Sequence, residues 1–288
     1  MIYTIYMSNF SIKLEKDKIN KLKELFKDDI KQSNNQYIDT FIQNDDITIS
    51  IYTNDKVVFQ GKDAFVYASG FIDKQENRQA GSDEVGTGDV FGPVVVCACI
   101  IEKEDYPYIE SKHLTDSKQL TDEYIRSIGE ELINRFQHSL LILNNEKYNE
   151  VHETNNLNQI KAKMHNKAYI NMIDKGYNIP SEVYLDQFCS IENYFYYLAD
   201  EKQVFRNIIF ETKAESKYPA VAVASIIARY AFLVTMDNLN NKYHIKFQKG
   251  AVETEKIDKQ IQYIIEKYGK DELKKVGKWH FKNFDNYR

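Results

Sequence analysis

The residues best suited to chemistry lie in residues 81–96, which read GSDEVGTGDVFGPVVV. Asp83 and Glu84 are adjacent, are flanked by glycines and lead into a run of apolar residues. A carboxylate pair beside a hydrophobic core costs free energy unless its charge is compensated. The segment therefore indicates a functional site built on paired carboxylates.

This glycine-rich segment has two other interpretations. A nucleotide-binding loop is disfavoured, because Gly86, Gly88 and Gly92 miss the dinucleotide-binding spacing by one residue and no Gly-Lys-Ser/Thr sequence is present. A purely structural turn is the second alternative. In that case Asp83 and Glu84 would be an ordinary solvated pair.

Two further acids follow predicted strands. Asp186 ends a strand predicted over residues 183–185, and Glu215 follows a strand predicted over residues 207–210. Ligands of open α/β sheets collect at the carboxyl ends of strands, so we expect both acids to approach Asp83 and Glu84. Taken singly, each has the alternative of being a surface or helix-capping residue.

Beyond residue 81, predicted strands alternate with predicted helices, which indicates an α/β domain. The sequence VVVCACII at residues 94–101 predicts a strand covered on both faces. The other predicted elements are strands at 139–143, 183–185 and 207–210, and helices at 121–136, 155–175, 218–240, 253–268 and 271–276. Residues 218–236 are the most apolar stretch, but Pro219 and Arg229 favour a buried helix over a membrane span.

Residues 1–75 are predicted to form a separate unit, followed by a polar linker at residues 73–81 that ends in glycine. The predicted order is strand, helix, strands, helix. The strands are at 2–7, 37–41, 46–52 and 56–60, and the helices are at 13–31 and 63–71.

The composition is that of a globular protein, with 43% hydrophobic and 28% charged residues among 288. The net charge of −5 excludes a basic surface overall, so any nucleic-acid binding must use a local patch. Three cysteines are too few for a disulfide framework. With no cationic start or cleavage site at the N-terminus, we expect a soluble cytoplasmic protein.

Four motifs together make the chain similar to the type 2 ribonuclease H family. They are DEVGTGDVFGPV from residue 83, DSK at 116–118, the strand ending in Asp186, and KAESKYPAVAVASIIAR from residue 213. Three details resemble bacterial ribonuclease HIII more than ribonuclease HII. They are Thr87 where ribonuclease HII usually has Arg, Glu215 where it usually has Asp, and the extension over residues 1–75.

The resemblance implies a ribonuclease H-like mixed sheet with flanking helices over residues 76–288. It also implies a small α+β, TATA-binding-protein-like substrate-binding domain over residues 1–75. The implied activity is that of an endoribonuclease which hydrolyses the RNA strand of RNA–DNA hybrids and leaves 3′-OH and 5′-phosphate ends. The implied partner is the hybrid alone, with no membrane, no obligate protein partner and a monomeric chain.

The resemblance further implies that the catalytic and metal-binding residues are Asp83, Glu84, Asp186 and Glu215. Carboxylate oxygens favour hard cations such as Mg²⁺ or Mn²⁺. Two such ions, roughly 4 Å apart, can hold both the attacking water and the leaving 3′ oxygen of a phosphodiester.

The implied substrate-binding residues begin with Gly86, Thr87 and Gly88, since glycines let the backbone approach the ribose and its 2′-OH. Thr87 in place of Arg removes a cation and argues against a preference for single ribonucleotides. Lys118 and Lys213 are candidate phosphate contacts. Their alternatives are a solvated surface lysine for Lys118 and an ion pair with an acid for Lys213.

Several other residues are assigned to packing or to the surface. Ser225 lies inside the helix rich in small residues and is assigned to packing, and His152 and His165 have no motif that links them to the acids. Trp279 and His280 are predicted to belong to a packed tail. In the N-terminal unit, substrate contacts are expected from the lysine-rich helix at residues 13–31 or from aromatic side chains of the sheet. These aromatic candidates are Tyr37, Phe41, Tyr52 and Phe59.

Three rival functions remain open on the sequence. One is ribonuclease HII-like incision at single ribonucleotides in duplex DNA, and another is non-catalytic binding of hybrids. A nucleotide-dependent transferase that uses the glycine loop is the third.

Overall fold

The computed structural model describes residues 8–61, 64–69, 71 and 78–288. The chain divides into two compact units, residues 1–75 and residues 76–288, which are described separately below. The strand predicted over residues 2–7 and part of the predicted linker, residues 73–77, lie outside the described residues.

In its described residues, the first unit contains a five-stranded antiparallel sheet and two α-helices. Its strands are β1 (Ser8–Lys13), β2 (Ile30–Lys31), β3 (Ile38–Gln43), β4 (Thr48–Tyr52) and β5 (Lys56–Gly61), and its helices are α1 (Lys16–Leu25) and α2 (Ala64–Ser69). The strand order is β1-β5-β4-β3-β2. Ile49 and Ile51 of β4 are buried in the same cluster as Leu22 of α1, so the core lies between one face of the sheet and this helix.

The prediction of a helix over residues 13–31 is wrong at both ends. Residues 8–13 pair with β5 as a strand, and the backbone N–H of Leu14 donates to the carbonyl of Asp55, which keeps the chain extended. At the other end, Leu22 is fully buried but Leu25 is 67% exposed. Leu25 therefore follows the apolar spacing without joining the core, whereas Phe26 still packs against it, and the chain then leads into the short strand β2.

The aromatic candidates of this unit fall on different faces of its sheet. Phe59 is fully buried in the core, so its predicted role in stacking on nucleic acid is wrong. Phe41 pairs in register with Ser50, which lies on the opposite face from the buried Ile49 and Ile51. Phe41 therefore belongs to the outer face.

The second unit is a mixed five-stranded sheet with helices on both faces. Its strands are β6 (Gln79–Val85), β7 (Val94–Ile101), β8 (His138–Leu143), β9 (Val183–Asp186) and β10 (Ile209–Glu211). Its helices are α3 (Tyr106–Ser111), α4 (Asp122–Arg135), α5 (Asn145–His152), α6 (Leu157–Asp174), α7 (Ile191–Tyr196), α8 (Pro219–Tyr243), α9 (Thr254–Tyr268) and α10 (Leu273–Val276). The order is β10-β9-β6-β7-β8, with β6, β9 and β10 parallel and β7 antiparallel to β6 and β8.

Strand β7 shows why both faces of this sheet are covered. Alternate residues, such as Val95 and Cys97, pack into a core shared with α4 and α8. The residues between them, such as Val96 and Ala98, pack into a second core with α6. The predicted α/β domain and its doubly buried strand are therefore confirmed.

The starts of four helices are fixed by side-chain caps. Thr121, Asn144, Asn156 and Ser190 each accept a hydrogen bond from the backbone N–H three residues further on. Such caps satisfy N–H groups that the first helical turn leaves without a partner. Helix α6 thus begins at Leu157 rather than at the predicted residue 155.

Strand β6, which carries the paired acids, was not predicted. The sequence instead predicts a linker at residues 73–81 and a glycine loop after it, because a glycine and two acids obscure the apolar alternation of a strand. Hydrogen bonding to β7 on one side and β9 on the other supplies the stability that local sequence does not. The short helices α3, α5 and α7 were also missed.

Helix α8 has the length and hydropathy of a membrane-spanning helix, yet most of it is buried in the unit's core against β6 and β7. Its one internal cation, Arg229, pairs with Asp122 of α4 at 2.6 Å. The prediction of a buried helix is confirmed.

Replacing Gly81 with alanine is expected to lower the free energy of unfolding by about 1–3 kcal/mol through overpacking. A Cβ atom there would lie 2.5 Å from the backbone nitrogen of Val221, which prevents β6 from packing on α8. Gly88→Ala is the matched control, since its Cβ would meet nothing within 4 Å. Urea unfolding that gave both variants the same stability would contradict this packing.

Candidate active site

Three strands bring the predicted acids to one edge of the second unit's sheet. Asp83 and Glu84 lie near the end of β6, and Asp186 ends the parallel neighbour β9. Ser82 is in register with Leu185, so one further step along both strands sets Asp83 beside Asp186. Strand β10 continues the parallel set and leads into the 3₁₀ turn that holds Glu215.

A backbone hydrogen bond holds two of these acids near each other, and their charges interact. The backbone N–H of Ala214 donates to Asp186 Oδ1 at 2.9 Å and holds the turn containing Glu215 against β9. The charges of Glu215 and Glu84 raise the pKa of Asp186, although burial is the largest cause of its rise. The acids therefore share one electrostatic environment.

Asp83 is the acid most strongly affected by its surroundings. Burial raises its pKa to about 8, and the charges of Glu84 and Asp186 act in the same direction. Hydrogen bonds from the Ser225 hydroxyl and from the backbone N–H of Glu84 oppose the rise. Ser225, which the sequence assigned to packing, is therefore a direct partner of Asp83.

Glu84 is held by two side chains of α6. Lys161 Nζ lies 2.5 Å from Glu84 Oε1, and His165 Nε2 lies 2.9 Å from Oε2. Burial raises the pKa of Glu84, but His165 and Lys161 outweigh that effect and leave it below its usual value. The other ring nitrogen of His165 hydrogen-bonds the buried hydroxyl of Ser82, which also accepts from Tyr169.

Sequence reasoning missed Lys161 and His165 as site residues. Together with Tyr169 they recur at intervals of four along α6, which places them on one helix face. That spacing was visible in the sequence. Nothing local, however, indicated that this face lies against β6.

Glu215 is 5% exposed, and its two carboxylate oxygens differ. Oε1 pairs with Lys118 Nζ, whereas Oε2 is buried and has no hydrogen-bond partner among the described residues. The hydrogen bond with Glu215 is the main cause that raises the pKa of Lys118, and the charges of Asp186 and Asp83 contribute. Lys118, a predicted phosphate contact, therefore lies at the acids although its side chain is 76% exposed.

The remaining predicted substrate residues divide into buried and open positions. Gly86 has a φ of 94°, and a Cβ there would lie 2.2 Å from the carbonyl oxygen of Pro93. Thr87 is half-buried, and Gly88 is exposed with open space around it. Lys213 is exposed, and no ion pair to it is found within the described part of the chain.

The donor set fits a hard divalent cation. All four acids offer oxygen ligands, one buried oxygen of Glu215 has no partner in the described chain, and Asp83 carries an uncompensated cost of ionisation. Among the described residues, no three His, Cys, Asp or Glu side chains stand close enough to hold one ion as placed. Lys118 and Lys161 bind carboxylate oxygens of Glu215 and Glu84, so ion binding has to rearrange these pairs.

Asp83→Asn is expected to stabilise the protein in a chelator, and to do so more at pH 9 than at pH 5. With a folded pKa of about 8 against 3.8 for the free side chain, Asp83 takes up a proton on folding between these values. Wild-type stability therefore falls as the pH rises through this window, and asparagine removes the loss, worth ~1 kcal/mol or more. Urea unfolding at both pH values tests this, and an equal gain at both would contradict a raised pKa.

Comparison with known families assigns most of the chain. A family model described as Ribonuclease HII matches residues 80–284. A second, described as a domain of unknown function (DUF3378), matches residues 9–84. The two matches meet near the division between the compact units.

Curated relatives match over nearly the whole chain. A ribonuclease HIII of Phytoplasma mali is 39% identical over 284 residues, which cover 96% of this chain and 97% of the relative. A ribonuclease HIII of Bacillus cereus is 38% identical over 262 residues, which cover 82% of this chain and 84% of the relative.

Solved structures share the fold. The crystal structure of Bst-RNase HIII in complex with Mn²⁺ matches with a TM-score of 0.72 and 30% identity, over 97% of this chain and 98% of that one. Ribonuclease H2 of Pyrococcus horikoshii, at 22% identity and a TM-score of 0.61, covers 73% of this chain and 96% of its own, and shows the fold alone.

Proposed function

Because the chain belongs to the type 2 ribonuclease H family and is most similar to ribonuclease HIII, we propose that it is an endoribonuclease of RNA–DNA hybrids. The observation that carries this proposal is the approach of Asp83, Glu84, Asp186 and Glu215 to one another at one sheet edge. In this proposal the enzyme hydrolyses the RNA strand and leaves a 3′-OH and a 5′-phosphate.

The family uses divalent metal ions, and the Mn²⁺ complex of Bst-RNase HIII supports the same requirement here. We propose that two ions, Mg²⁺ or Mn²⁺, are held by the four acids. When bound, such ions activate the attacking water and stabilise the leaving 3′ oxygen. No nucleophilic side chain is then needed.

The chain's own residues orient these ligands and the substrate. Before an ion binds, Lys161 and His165 each hold one oxygen of Glu84, and His165 can keep this carboxylate oriented when the Lys161 pair rearranges. Lys118 is exposed enough to leave Glu215 and bind a phosphate oxygen of the RNA strand. Gly88 has no side chain and lies in open space, so a ribose can approach its backbone closely.

We extend the proposal to the first unit as a substrate-binding domain. Among the described residues, the core cluster covers one face of its sheet only, and Phe41 lies on the other face. Aromatic side chains on a sheet suit stacking on bases or sugars. The prediction concerns the unit as a whole rather than any single residue.

A panel of duplexes of one sequence tests the proposed activity. With Mg²⁺ or Mn²⁺ present, we expect nicks in the RNA strand of the hybrid and none in its DNA strand or in an all-DNA duplex. The fragments should be extended by a polymerase, because a 3′-OH supports extension and a 3′-phosphate does not. Unextendable fragments, or cuts in the DNA strand, would refute the proposal.

Cleavage at a single ribonucleotide in duplex DNA is expected to be slower than cleavage within a run of four, by about tenfold or more. The reason is Thr87, which lacks the cation that ribonuclease HII usually has at this place in the glycine loop. Rates on the two duplexes measure the difference, and Thr87→Arg should narrow it. A faster rate on the single ribonucleotide would favour the ribonuclease HII-like alternative.

A further inference from the structure

A buried lysine far along the chain contacts the glycine loop from behind. Lys278 is fully buried, and its Nζ donates to the carbonyl oxygens of Asp89 at 2.8 Å and Gly92 at 2.6 Å. Its backbone N–H donates to the carbonyl of Val90 at 2.8 Å. One residue therefore binds three carbonyl groups of the loop over residues 86–92.

The neighbours of Lys278 make the attachment continuous. The backbone N–H of Gly92 donates to the carbonyl of Val276 at 3.0 Å, and Phe91 forms a β-bridge with Gly277. From α5, Asn145 Nδ2 donates to the carbonyl of Gly92 at 2.8 Å. The segment over residues 276–278, which directly precedes Trp279 and His280, is thus paired with the loop by backbone and side chain alike.

Packing alone does not explain a lysine at this position. Burial lowers the pKa of Lys278 to about 7, opposed only by the charge of Asp89, and no carboxylate ion pair to it is found in the described residues. An apolar side chain of the same length would avoid this cost of burying an amine. What the amine adds is a donor for the Asp89 carbonyl and a second donor for the Gly92 carbonyl, which also accepts from Asn145.

While these carbonyls are held by Lys278, the backbone N–H groups at the start of the loop remain available to a ligand. Within the described residues, the backbone N–H groups of Thr87 and Gly88 have no hydrogen-bond acceptor. Gly88 is exposed, and the loop directly follows the strand that carries Asp83 and Glu84. These N–H groups are therefore free to bind a polar group of a substrate that reaches the acids.

We propose that Lys278 is a positioning residue that holds the glycine loop in the conformation that recognises the 2′-OH of the RNA strand. This inference rests on the proposed function for the identity of the ligand. It assigns discrimination between RNA and DNA to a contact made from behind the loop, by a residue that does not touch the substrate.

The test is equilibrium binding in EDTA, which is independent of cleavage. Two duplexes are compared by fluorescence anisotropy, one with four consecutive ribonucleotides in one strand and one of the same sequence in DNA only. The readout is the ratio of their dissociation constants, which measures the contribution of the 2′-OH groups. Each variant is measured well below its own melting temperature.

We expect Lys278→Met to reduce the wild-type ratio by about fivefold or more, with the affinity for the all-DNA duplex changed by less than about twofold. Lys282→Met is the matched control, because Lys282 is exposed, lies close by in sequence and undergoes the same side-chain replacement. It should leave the ratio unchanged, which separates loop positioning from the general attraction of phosphates for lysine.

Three results would overturn the inference. They are a wild-type ratio of one, a folded Lys278→Met protein with an unchanged ratio, and an equal loss of affinity for both duplexes. If Lys278→Met does not fold, Asn145→Ala decides, because it removes another donor to the Gly92 carbonyl and should lower the ratio in the same direction. A wild-type protein that discriminates but does not cleave would instead refute the proposed function alone.

Discussion

Asp83→Asn is expected to lower kcat on an RNA–DNA hybrid by about 10³-fold or more, because it removes a charge that, in the proposed mechanism, stabilises metal ions at the reacting phosphate. Asparagine has nearly the same shape, so the groove and the neighbouring strands stay intact. The dissociation constant for the hybrid should therefore change by less than about threefold. Single-turnover rates and anisotropy measure the two quantities separately.

Asp200→Asn is the matched control for this variant. The substitution replaces a carboxylate with an amide in the same unit, but the side chain of Asp200 is 67% exposed and pairs with Lys163 on the surface. It should retain wild-type turnover. Near-normal turnover by Asp83→Asn would contradict the assignment of Asp83 to the reaction.

Glu215→Gln is expected to lower kcat by about 10²-fold and to raise the metal concentration that gives half-maximal rate. Glu215 is the acid with a buried oxygen that no described residue satisfies, and glutamine keeps its size while offering one ligand oxygen in place of two. The rate lost in Glu215→Gln should therefore be partly recovered at high concentrations of Mg²⁺ or Mn²⁺. Titration of the rate with each ion measures this recovery.

Lys118→Met separates the two members of the Glu215–Lys118 pair. If Lys118 binds substrate phosphate, its loss should raise KM more than it lowers kcat, and the metal dependence should stay the same or shift to lower concentration. For Glu215→Gln, the control is Glu255→Gln, which removes one negative charge from an exposed position on α9. A Glu215→Gln enzyme with unchanged metal dependence would remove Glu215 from the set of ligands.

The sequence predicted the four candidate acids better than it predicted strand β6, which carries two of them. Asp186 and Glu215 were found because each follows an apolar strand, and such strands are visible in a single sequence. Strand β6 was missed because Gly81, Asp83 and Glu84 do not alternate as strand residues usually do. It forms because β7 and β9 flank it and because Gly81 fits against α8.

The residues that contact the acids and the glycine loop could not be predicted from local sequence patterns for a related reason. Lys161 and His165 act on Glu84 across about 80 positions of the chain, and Lys278 acts on Gly92 across 186. A sequence pattern states which helix face these residues share, but not which strand that face meets. The end of helix α1 shows the converse, since Leu25 follows the apolar spacing and is nevertheless 67% exposed.

The most direct test of the account is the dependence of hybrid cleavage on divalent ions in the wild-type protein. After exhaustive chelation we expect no nicks in the RNA strand, and addition of Mg²⁺ or Mn²⁺ should restore them. Undiminished cleavage in the chelator would contradict a reaction built on Asp83, Glu84, Asp186 and Glu215. So would a folded protein that binds the hybrid and cuts nothing with either ion.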